Sequence, residues 1–337
     1  MATDDFGNTY ISGISYQADF GSNIPIVPFL GYYLAKLDST GNVIWTQHID
    51  NREVFTQDIL IDSNGDIIVA GHFEGQLNHQ GYYANGQIQE SSFVFKYDTS
   101  GTLIWAETFH SDVNSRRVLT WAATLDANDN IYLTGFFDWN ATIGGISISP
   151  TVTNKNDIFL LKLNPSGNVV WVKTGGGTQD DEGTDIAYYD NHLYILGNVW
   201  SGTMQFDTMA VNIASTSIPK PILIKYSLDG DIQSVKTLAE VETNSYVEQK
   251  KIEISSSGTI YTMGRFGGTA IFYPNDTLQS THYFNGYLAR HDLNGNCIWA
   301  RRLSELADYK KDLTIDANNN VYITDNFIKI SPLKPLI

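Results

Sequence analysis

Short runs of alternating apolar and polar residues, rich in β-branched and aromatic side chains, recur along the whole chain and predict β-strands. One kind of run closes on glycine or its equivalent, in six copies: Asn8–Gly13, Asp66–Gly71, Asn130–Gly135, His192–Gly197, Thr259–Gly264 and Asn320–Asp325. A second kind starts at Lys or Arg, crosses a polar turn and ends at tryptophan or its equivalent: Lys36–Trp45, Lys96–Trp105, Lys162–Trp171, Lys225–Ser234 and Arg290–Trp299. The two kinds alternate with a period of about 64 residues, so the chain is an internal repeat.

Each period accommodates four strands, which in the third copy are expected at 118–125, 131–137, 158–163 and 169–174. Tight turns rich in Asp, Asn and Gly join the first strand to the second and the third to the fourth, as in hairpins. We therefore predict an all-β fold, a β-propeller of four-stranded antiparallel blades. About six blades are expected, five near-complete repeats and a partial sixth, in a single domain over 1–337 that is complete or a fragment of a longer propeller. The approximate repeats are 1–48, 54–109, 117–174, 183–238, 248–303 and 311–337.

The connections between second and third strands are longer, about twenty residues, and differ in every unit. Because both short turns lie at one end of an up-and-down sheet, the variable connections must collect at the other end. Variable loops held by a rigid scaffold are the usual place for binding residues, so a site is expected on that face. The segments 202–206 and 268–272, each followed by a second apolar stretch, suggest that small accessory hairpins fill part of these connections.

The repeat-locked tryptophans Trp45, Trp105, Trp171 and Trp299 are interpreted as packing residues between neighbouring blades. Trp139 and Trp200 differ, because each lies just past a second strand, where a variable connection begins. The candidate ligand-binding residues on this face are Trp139, Trp200, Tyr82, Asp19 and Asp181. Packing within the loops is the alternative interpretation of both tryptophans.

The formal net charge is −16 with a pI near 4.7, spread along the chain, which argues against a nucleic-acid surface. Cations, cationic groups or neutral sugars are easier partners, although the charge also serves solubility alone. The single cysteine, Cys297, cannot form an intrachain disulfide and is expected to be buried. No apolar stretch approaches the ~20 residues of a membrane span, and no signal peptide precedes the first repeat. Met1-Ala2 leads directly into a repeat turn, so we expect a trimmed chain or part of a longer protein.

Motifs for a metalloprotease, a P-loop and a nucleophile elbow are absent from the sequence, and its seven histidines share no repeat position. No cofactor is therefore expected. Calcium is a minor alternative, at the acidic link Asp180, Asp181 and Glu182 or at the turn Asp62–Asp66. Catalysis on carbohydrate would need carboxylates from several blades to converge, and the candidates are Asp19, Glu74, Asp138, Asp181 and Asp207.

The segment from Lys162 to Gly177, followed by Asp180 to Ala187, resembles the SBBP (seven-bladed β-propeller) repeat of bacterial secreted and surface proteins. The shared features are the lysine, a Gly-Asn pair, the tryptophan, paired glycines and an acidic pair that leads into the next blade. Departures are Ser234 in place of tryptophan and a last unit without its fourth strand. The resemblance implies a propeller in an extracellular or cell-surface setting, and it supplies no catalytic residues.

Two functions follow as hypotheses. The first is a non-enzymatic, secreted or cell-surface interaction module that binds a protein or glycan through the variable-loop face, without nucleic-acid binding or membrane insertion. The alternative is a carbohydrate-active enzyme, a glycosidase or lyase, whose loop carboxylates converge near the propeller axis. A purely structural role as a spacer in a larger surface protein is a third possibility.

Overall fold

The computed structural model describes residues 1–15, 31–49, 53–86, 89–200, 202–213, 218–280, 283–305 and 312–324. These residues contain 31 strands and no helix, so none of their segments is a helical membrane span. Contacts divide the chain into two compact units, Met1–Thr174 and Gly175–Ile337. The prediction of a single domain stays a prediction.

The strands follow the predicted period closely. Those of the first unit are β1 Ala2–Thr3, β2 Thr9–Ser15, β3 Gly31–Leu37, β4 Val43–Ile49, β5 Val54–Ile61, β6 Ile67–Phe73, β7 Gln76–His79, β8 Tyr82–Asn85, β9 Ser91–Tyr97, β10 Leu103–Phe109, β11 Val118–Leu125, β12 Ile131–Phe137, β13 Ala141–Ile143, β14 Ile146–Ile148, β15 Asp157–Leu163 and β16 Val169–Gly176, whose last two residues already belong to the second unit. The remaining strands are β17 Asp181–Tyr189, β18 His192–Val199, β19 Thr203–Phe206, β20 Met209–Asn212, β21 Lys220–Ser227, β22 Ile232–Thr237, β23 Glu240–Val241, β24 Tyr246–Ile254, β25 Ile260–Gly267, β26 Thr269–Phe272, β27 Asp276–Gln279, β28 Asn285–His291, β29 Cys297–Glu305, β30 Asp312–Ile315 and β31 Val321–Thr324.

Five antiparallel blades of four sequential strands account for most of these elements: β1–β4, β5–β6–β9–β10, β11–β12–β15–β16, β17–β18–β21–β22 and β24–β25–β28–β29. The described part of the sixth repeat supplies the pair β30–β31. This repeated up-and-down sheet, joined by short turns at one end, is the blade of a β-propeller. The predicted all-β propeller class is confirmed.

Most of the short turns form because an Asx side chain caps them, and Ser227 and Ser255 take this position in two others. In the Asx-capped turns, Oδ1 of the first turn residue accepts the backbone N–H groups two and four residues later. The accepting residues are Asp4, Asp38, Asp62, Asp98, Asp126, Asn164, Asp292 and Asp316. The turn then needs a left-handed residue, which is glycine or an Asx residue such as Asp129 with φ 60°.

In the second, third and fifth blades the glycine that closes the second strand lies against the first strand of the same blade. A Cβ at Gly71 would come 2.0 Å from the carbonyl oxygen of Phe55, and at Gly264 1.9 Å from that of Glu248. At this level the first strand carries a bulge, between Thr56 and Asp58 in the second blade, and the backbones approach closely. The close approach explains why these three blades require glycine at this position.

Four of the variable connections contain a small hairpin: β7–β8, β13–β14, β19–β20 and β26–β27. Two of them were expected, at 202–206 and 268–272. Each hairpin attaches to the chain that leaves the outermost strand of the preceding blade: Nδ1 of His79 lies 3.1 Å from the carbonyl oxygen of His48, Ser111 bridges to Ala141, Gly175 pairs with Phe206, and Glu240 pairs with Ile271. The hairpins therefore act as clasps on the end of the sheet where the long connections lie.

Trp45 and Trp105, two of the four repeat-locked tryptophans, lie at contacts between blades, as interpreted from the sequence. Nε1 of Trp45 donates to the carbonyl oxygen of Thr99 at 3.2 Å, and Nε1 of Trp105 to that of Pro165 at 3.3 Å, each in a turn of the next blade. Both indoles are only half-buried, so each removes less apolar area from water than full burial would. Cys297 is buried, as expected, and burial raises the pKa of its thiol to about 11.

Candidate functional site: the rim of the second and third blades

Three glutamates converge at the long-connection end of the second blade. Glu53 precedes β5, Glu74 follows β6 and Glu90 precedes β9, so three strand ends bring them to one edge. The amide of Glu74 donates to the carbonyl oxygen of Glu53 at 3.0 Å, and the two side chains are hydrogen-bonded to each other.

The electrostatics of this group reflect its crowding. Partial burial raises the pKa of Glu74 above its ordinary value, and the hydrogen bond to Glu53 and the negative charges of Glu53 and Glu90 raise it further. Like charges in a shared site favour the neutral form of one member. Carboxyl groups held in this way favour a positively charged binding partner.

Basic and aromatic side chains of the third blade adjoin this acidic edge. The carbonyl oxygen of Glu90 accepts the amide of Val118 at 3.2 Å, which places Arg117 beside it. Arg117 is held by Asp138, with Nε 3.2 Å from Oδ2, and lies over the ring of Phe136 at 4.8 Å. The neighbours of Arg117 and Asp138 in the sequence form a second pair. The guanidinium of Arg116 lies 4.8 Å from the ring centroid of Trp139. We call Glu53, Glu74, Glu90, Arg116 and Trp139 the rim patch.

An aromatic stack supports the rim patch from below. Phe55 stacks on His72 with ring centroids 5.2 Å apart, His72 meets the edge of Trp121 at 5.7 Å, and Trp121 lies 6.5 Å from Phe136. His72 is buried, and burial lowers its pKa to about 4, so the imidazole is neutral at pH 7. Phe55 remains 40% exposed and adds an apolar contact surface next to the glutamates.

The five predicted ligand-binding residues meet different environments. Trp139 belongs to the rim patch, with Arg116 on one face of its indole. Tyr82 is half-buried in the clasp β7–β8, packs on Phe95 at 6.0 Å and places its hydroxyl 3.3 Å from Oγ1 of Thr108. Asp19 lies outside the described residues.

Asp181 and Trp200 adjoin each other in the second unit. Asp181 is fully buried, with Oδ1 accepting the amide of Trp200 at 3.0 Å and Oδ2 that of Gly177 at 2.9 Å. The side chain of Asp181 therefore fixes the backbone at the start of its blade. The indole of Trp200 is partly exposed and makes no hydrogen bond or ring contact with described residues.

The two calcium candidates have their oxygens engaged. Asp181 uses both carboxylate oxygens on backbone amides, and at the other candidate turn the ammonium of Lys96 lies 2.7 Å from Asp62 and 3.4 Å from Asp66. Among the residues described, no three His, Cys, Asp or Glu side chains are grouped so as to hold a metal ion.

The carboxylates proposed for catalysis have separate partners. Asp138 pairs with Arg117, Asp181 holds backbone amides, and Asp207 lies in the turn of the clasp β19–β20 with φ 40°. Glu74 has carboxylate neighbours of the kind that the hypothesis requires, and those neighbours, Glu53 and Glu90, were missed. A signal for them exists in the sequence, since each lies immediately outside a strand end of the repeat.

Comparison with known proteins gives a repeat relative and no family assignment. No protein-family profile matches the chain. An uncharacterised WD repeat-containing protein of Acanthamoeba polyphaga mimivirus is 23% identical over an alignment that covers 97% of this chain and 30% of the relative. The chain thus spans less than a third of that protein's length. Among solved structures, Drosophila Plexin A in complex with Semaphorin 1b aligns over 96% of this chain and 86% of that chain, at 9% identity and a TM-score of 0.34.

The WD repeat-containing relative supports a β-propeller repeat protein, and such a protein fits a non-enzymatic interaction module. The comparisons do not single out the SBBP type predicted from the repeat segment. The bacterial origin implied by that resemblance is not shown either, because the relative is viral.

Proposed function

We propose that this protein is an interaction module that recognises a protein partner through the rim patch. The observation that carries the proposal is the convergence of Glu53, Glu74 and Glu90 from three strand ends, which holds like charges together at an edge of the second blade. Such an arrangement costs stability, because at least one carboxyl must be neutral or the charges must repel. Structural side chains at strand ends do not require it, and a cluster of carboxyl groups is complementary to a basic surface.

The neighbouring groups suit a protein interface. Phe55 and Trp139 supply aromatic area, and Arg116 supplies a donor beside the acids. Aromatic residues and arginine are the residue types enriched in interface hot spots. The partner that best fits this patch presents lysine or arginine next to an apolar side chain. An extracellular or cell-surface setting remains part of the proposal, on the strength of the SBBP resemblance alone.

A peptide array of matched basic, neutral and acidic sequences tests this proposal. The wild-type chain should bind basic peptides selectively, and the triple variant Glu53→Gln, Glu74→Gln, Glu90→Gln should lose at least tenfold in affinity, as expected for desolvated charge pairs. A control with the same change in net charge is Asp5→Asn, Asp229→Asn, Asp231→Asn, at exposed positions without side-chain hydrogen bonds to described residues. Equal losses in the two triple variants would show that net charge, and not the rim patch, governs binding.

A second candidate function rests on the raised pKa of Glu74. A carboxyl whose pKa is raised by burial and by neighbouring carboxylates, as that of Glu74 is, has the character of a general acid in glycoside hydrolysis. Incubating the wild type and Glu74→Gln with aryl glycosides decides between the candidates. Release of the aryl group by the wild type and not by the variant would favour the carbohydrate-active enzyme, and its absence in both would leave the interaction module.

A further inference from the structure

A groove of about 270 Å³ opens in the first unit between β10 and the clasp β13–β14, away from the rim patch. Its polar lining comes from Glu107, Thr108 and His110 on one side, and from Thr142 and Asn168 on the other. Phe109 and Val169 supply apolar surface. The groove therefore follows the junction of the second and third blades on the side of their outermost strands.

The groove is open because the turn of its clasp carries no side chain that bonds to the outermost strand of the same blade, whereas two other clasps have such a side chain. In the second blade, Gln80 at the turn of β7–β8 donates Nε2 to the carbonyl oxygen of Gly101 at 2.9 Å and accepts the amide of Leu103 at 2.8 Å. In the fifth blade, Nδ2 of Asn275 donates to the carbonyl oxygen of Cys297 at 2.8 Å. Each of these side chains ties the clasp to the outermost strand of its own blade.

The clasp of the third blade turns instead through Gly144 and Gly145, with φ 57° and 83°. Gly144 packs so closely on Val169 that a Cβ would come 2.4 Å from its side chain. The backbone alone makes this contact. No side chain therefore fills the groove from the clasp turn.

Glu107 gives the open groove its charge. Its carboxylate has no hydrogen bond or ion pair with any residue that the structure describes, and neither lysine nor arginine lines the groove. Partial desolvation raises the pKa of Glu107 above its ordinary value. In the first blade the equivalent residue of the outermost strand is Gln47, whose side chain is neutral. It lies beside the clasp β7–β8, whose turn carries Gln80.

We propose that this groove is a binding site for one basic side chain of a partner protein, preferentially arginine. A guanidinium presents five donors in a planar fork, which suits the Glu107 carboxylate and the surrounding hydroxyl and amide oxygens of Thr108, Thr142 and Asn168. The apolar stem of an arginine packs along surfaces such as Phe109 and Val169. The net charge of −16 attracts a cationic partner toward the molecule.

The test uses N-acetyl-arginine-N-methylamide as the probe, with the lysine and citrulline analogues, added to the isotope-labelled full chain and followed by NMR. The arginine probe should shift the amide signals of Gly144, Gly167 and Asn168 saturably, with a dissociation constant on the order of millimolar for a single side chain. The citrulline probe, equal in shape and neutral, should shift them at least tenfold more weakly. Glu107→Gln should remove the difference between the two probes.

Two further variants make the result specific. Asp229→Asn has the same change in net charge at an exposed turn and should bind like the wild type. Thr142→Arg places a guanidinium on the clasp strand within the groove and should prevent probe binding in a folded chain. The proposal is overturned if arginine and citrulline bind equally, if Glu107→Gln keeps the preference for arginine, or if a neutral monosaccharide such as mannose shifts the same amides more strongly. Loss of array binding by the rim-patch variant leaves this test unaffected, since the two sites share no residue.

Discussion

The same pair of positions in the repeat is aromatic in the second blade and ionic in the fifth. Phe55 and His72 lie opposite each other, with His72 directly after the closing glycine Gly71, and stack with centroids 5.2 Å apart. Their counterparts Glu248 and Arg265 form a bidentate ion pair, with nitrogen to oxygen distances of 2.8 and 3.1 Å. Arg265 also lies 5.1 Å from the ring of Phe284.

The difference shows which parts of the repeat are fixed by the backbone and which are free to vary. Gly71 and Gly264, next to these pairs, approach the neighbouring carbonyl oxygen equally closely in both blades. The side chains one step away have no such restriction, and they face the end of the sheet where the connections differ. We therefore expect the side chains at this pair of positions, and those between the pair and the long connections, to vary in binding chemistry while the backbone of the blade stays the same.

The largest expected effect is on the frame itself. Gly71→Ala and Gly264→Ala place a Cβ 2.0 and 1.9 Å from a backbone oxygen, and each should lower the free energy of unfolding by about 3 kcal/mol or more. Urea denaturation measures the loss. The control is Gly81→Ala, which meets open space at φ 83° and should cost about 1 kcal/mol for the left-handed torsion alone. Losses at Gly71 and Gly264 no larger than the loss at Gly81 would mean that the close approach is relieved at little cost and does not explain these glycines.

Breaking the ionic pair should cost more than removing its aromatic counterpart. Arg265→Leu leaves Glu248 largely buried with only Lys250 at 3.7 Å, and should cost about 3 kcal/mol of unfolding free energy. Phe55→Ala should cost about 1 kcal/mol, because the ring is 40% exposed. The double variant Glu248→Leu, Arg265→Met should recover most of the first loss. If the double variant is less stable than Arg265→Leu, the loss in Arg265→Leu does not come from leaving the buried charge of Glu248 unpaired.

Lowering the pH tests the aromatic pair Phe55 and His72, with a smaller expected effect on the free energy of unfolding. Burial lowers the pKa of His72 from 6.5 to about 4, so protons bind the unfolded chain more readily than the folded one. The stability that the neutral imidazole provides is complete above pH 6.5 and declines as the pH falls toward 4, by up to about 3 kcal/mol for an ideal shift of this size. His72→Gln should flatten the dependence of the unfolding free energy on pH over that window.

His291 of the second unit provides the matched control for this measurement. Burial lowers its pKa to about 4 as well, although its partner is the Thr262 hydroxyl at 3.0 Å and not an aromatic stack. His291→Gln should therefore flatten the same window by a similar amount. A slope that neither substitution changes would assign the acid sensitivity to carboxyl groups.

The sequence was sufficient for the blades because their signals are local. Alternation, the closing glycine and the Asx turns each reside within a few residues, and the strands of the third blade were predicted to within two residues at every end. The clasps were half foreseen, in the segments 202–206 and 268–272. Their attachment to the preceding blade depends on backbone pairs such as Gly175 with Phe206, which carry no side-chain signature.

The candidate sites depended on contacts between distant residues and were largely missed. Glu53 and Glu74 are 21 positions apart, and only the antiparallel pairing of β5 with β6 brings them together. Asp181, predicted to meet a ligand, is buried on backbone amides because a carboxylate can replace missing backbone partners at the start of a strand. Exposure and partner choice of this kind follow from packing, which residue type alone does not determine.

The clasps have a consequence for how such a chain can change its length. Among the described residues, the second, third and fourth periods each carry a hairpin that attaches to the preceding blade and a strand end to which the hairpin of the next blade attaches. Duplication or deletion of one such whole period in the gene therefore leaves each remaining junction between blades with both its hairpin and the strand end that the hairpin contacts. A recombination breakpoint inside a long connection would separate the two, so copy number should change in whole periods counted from the short turns.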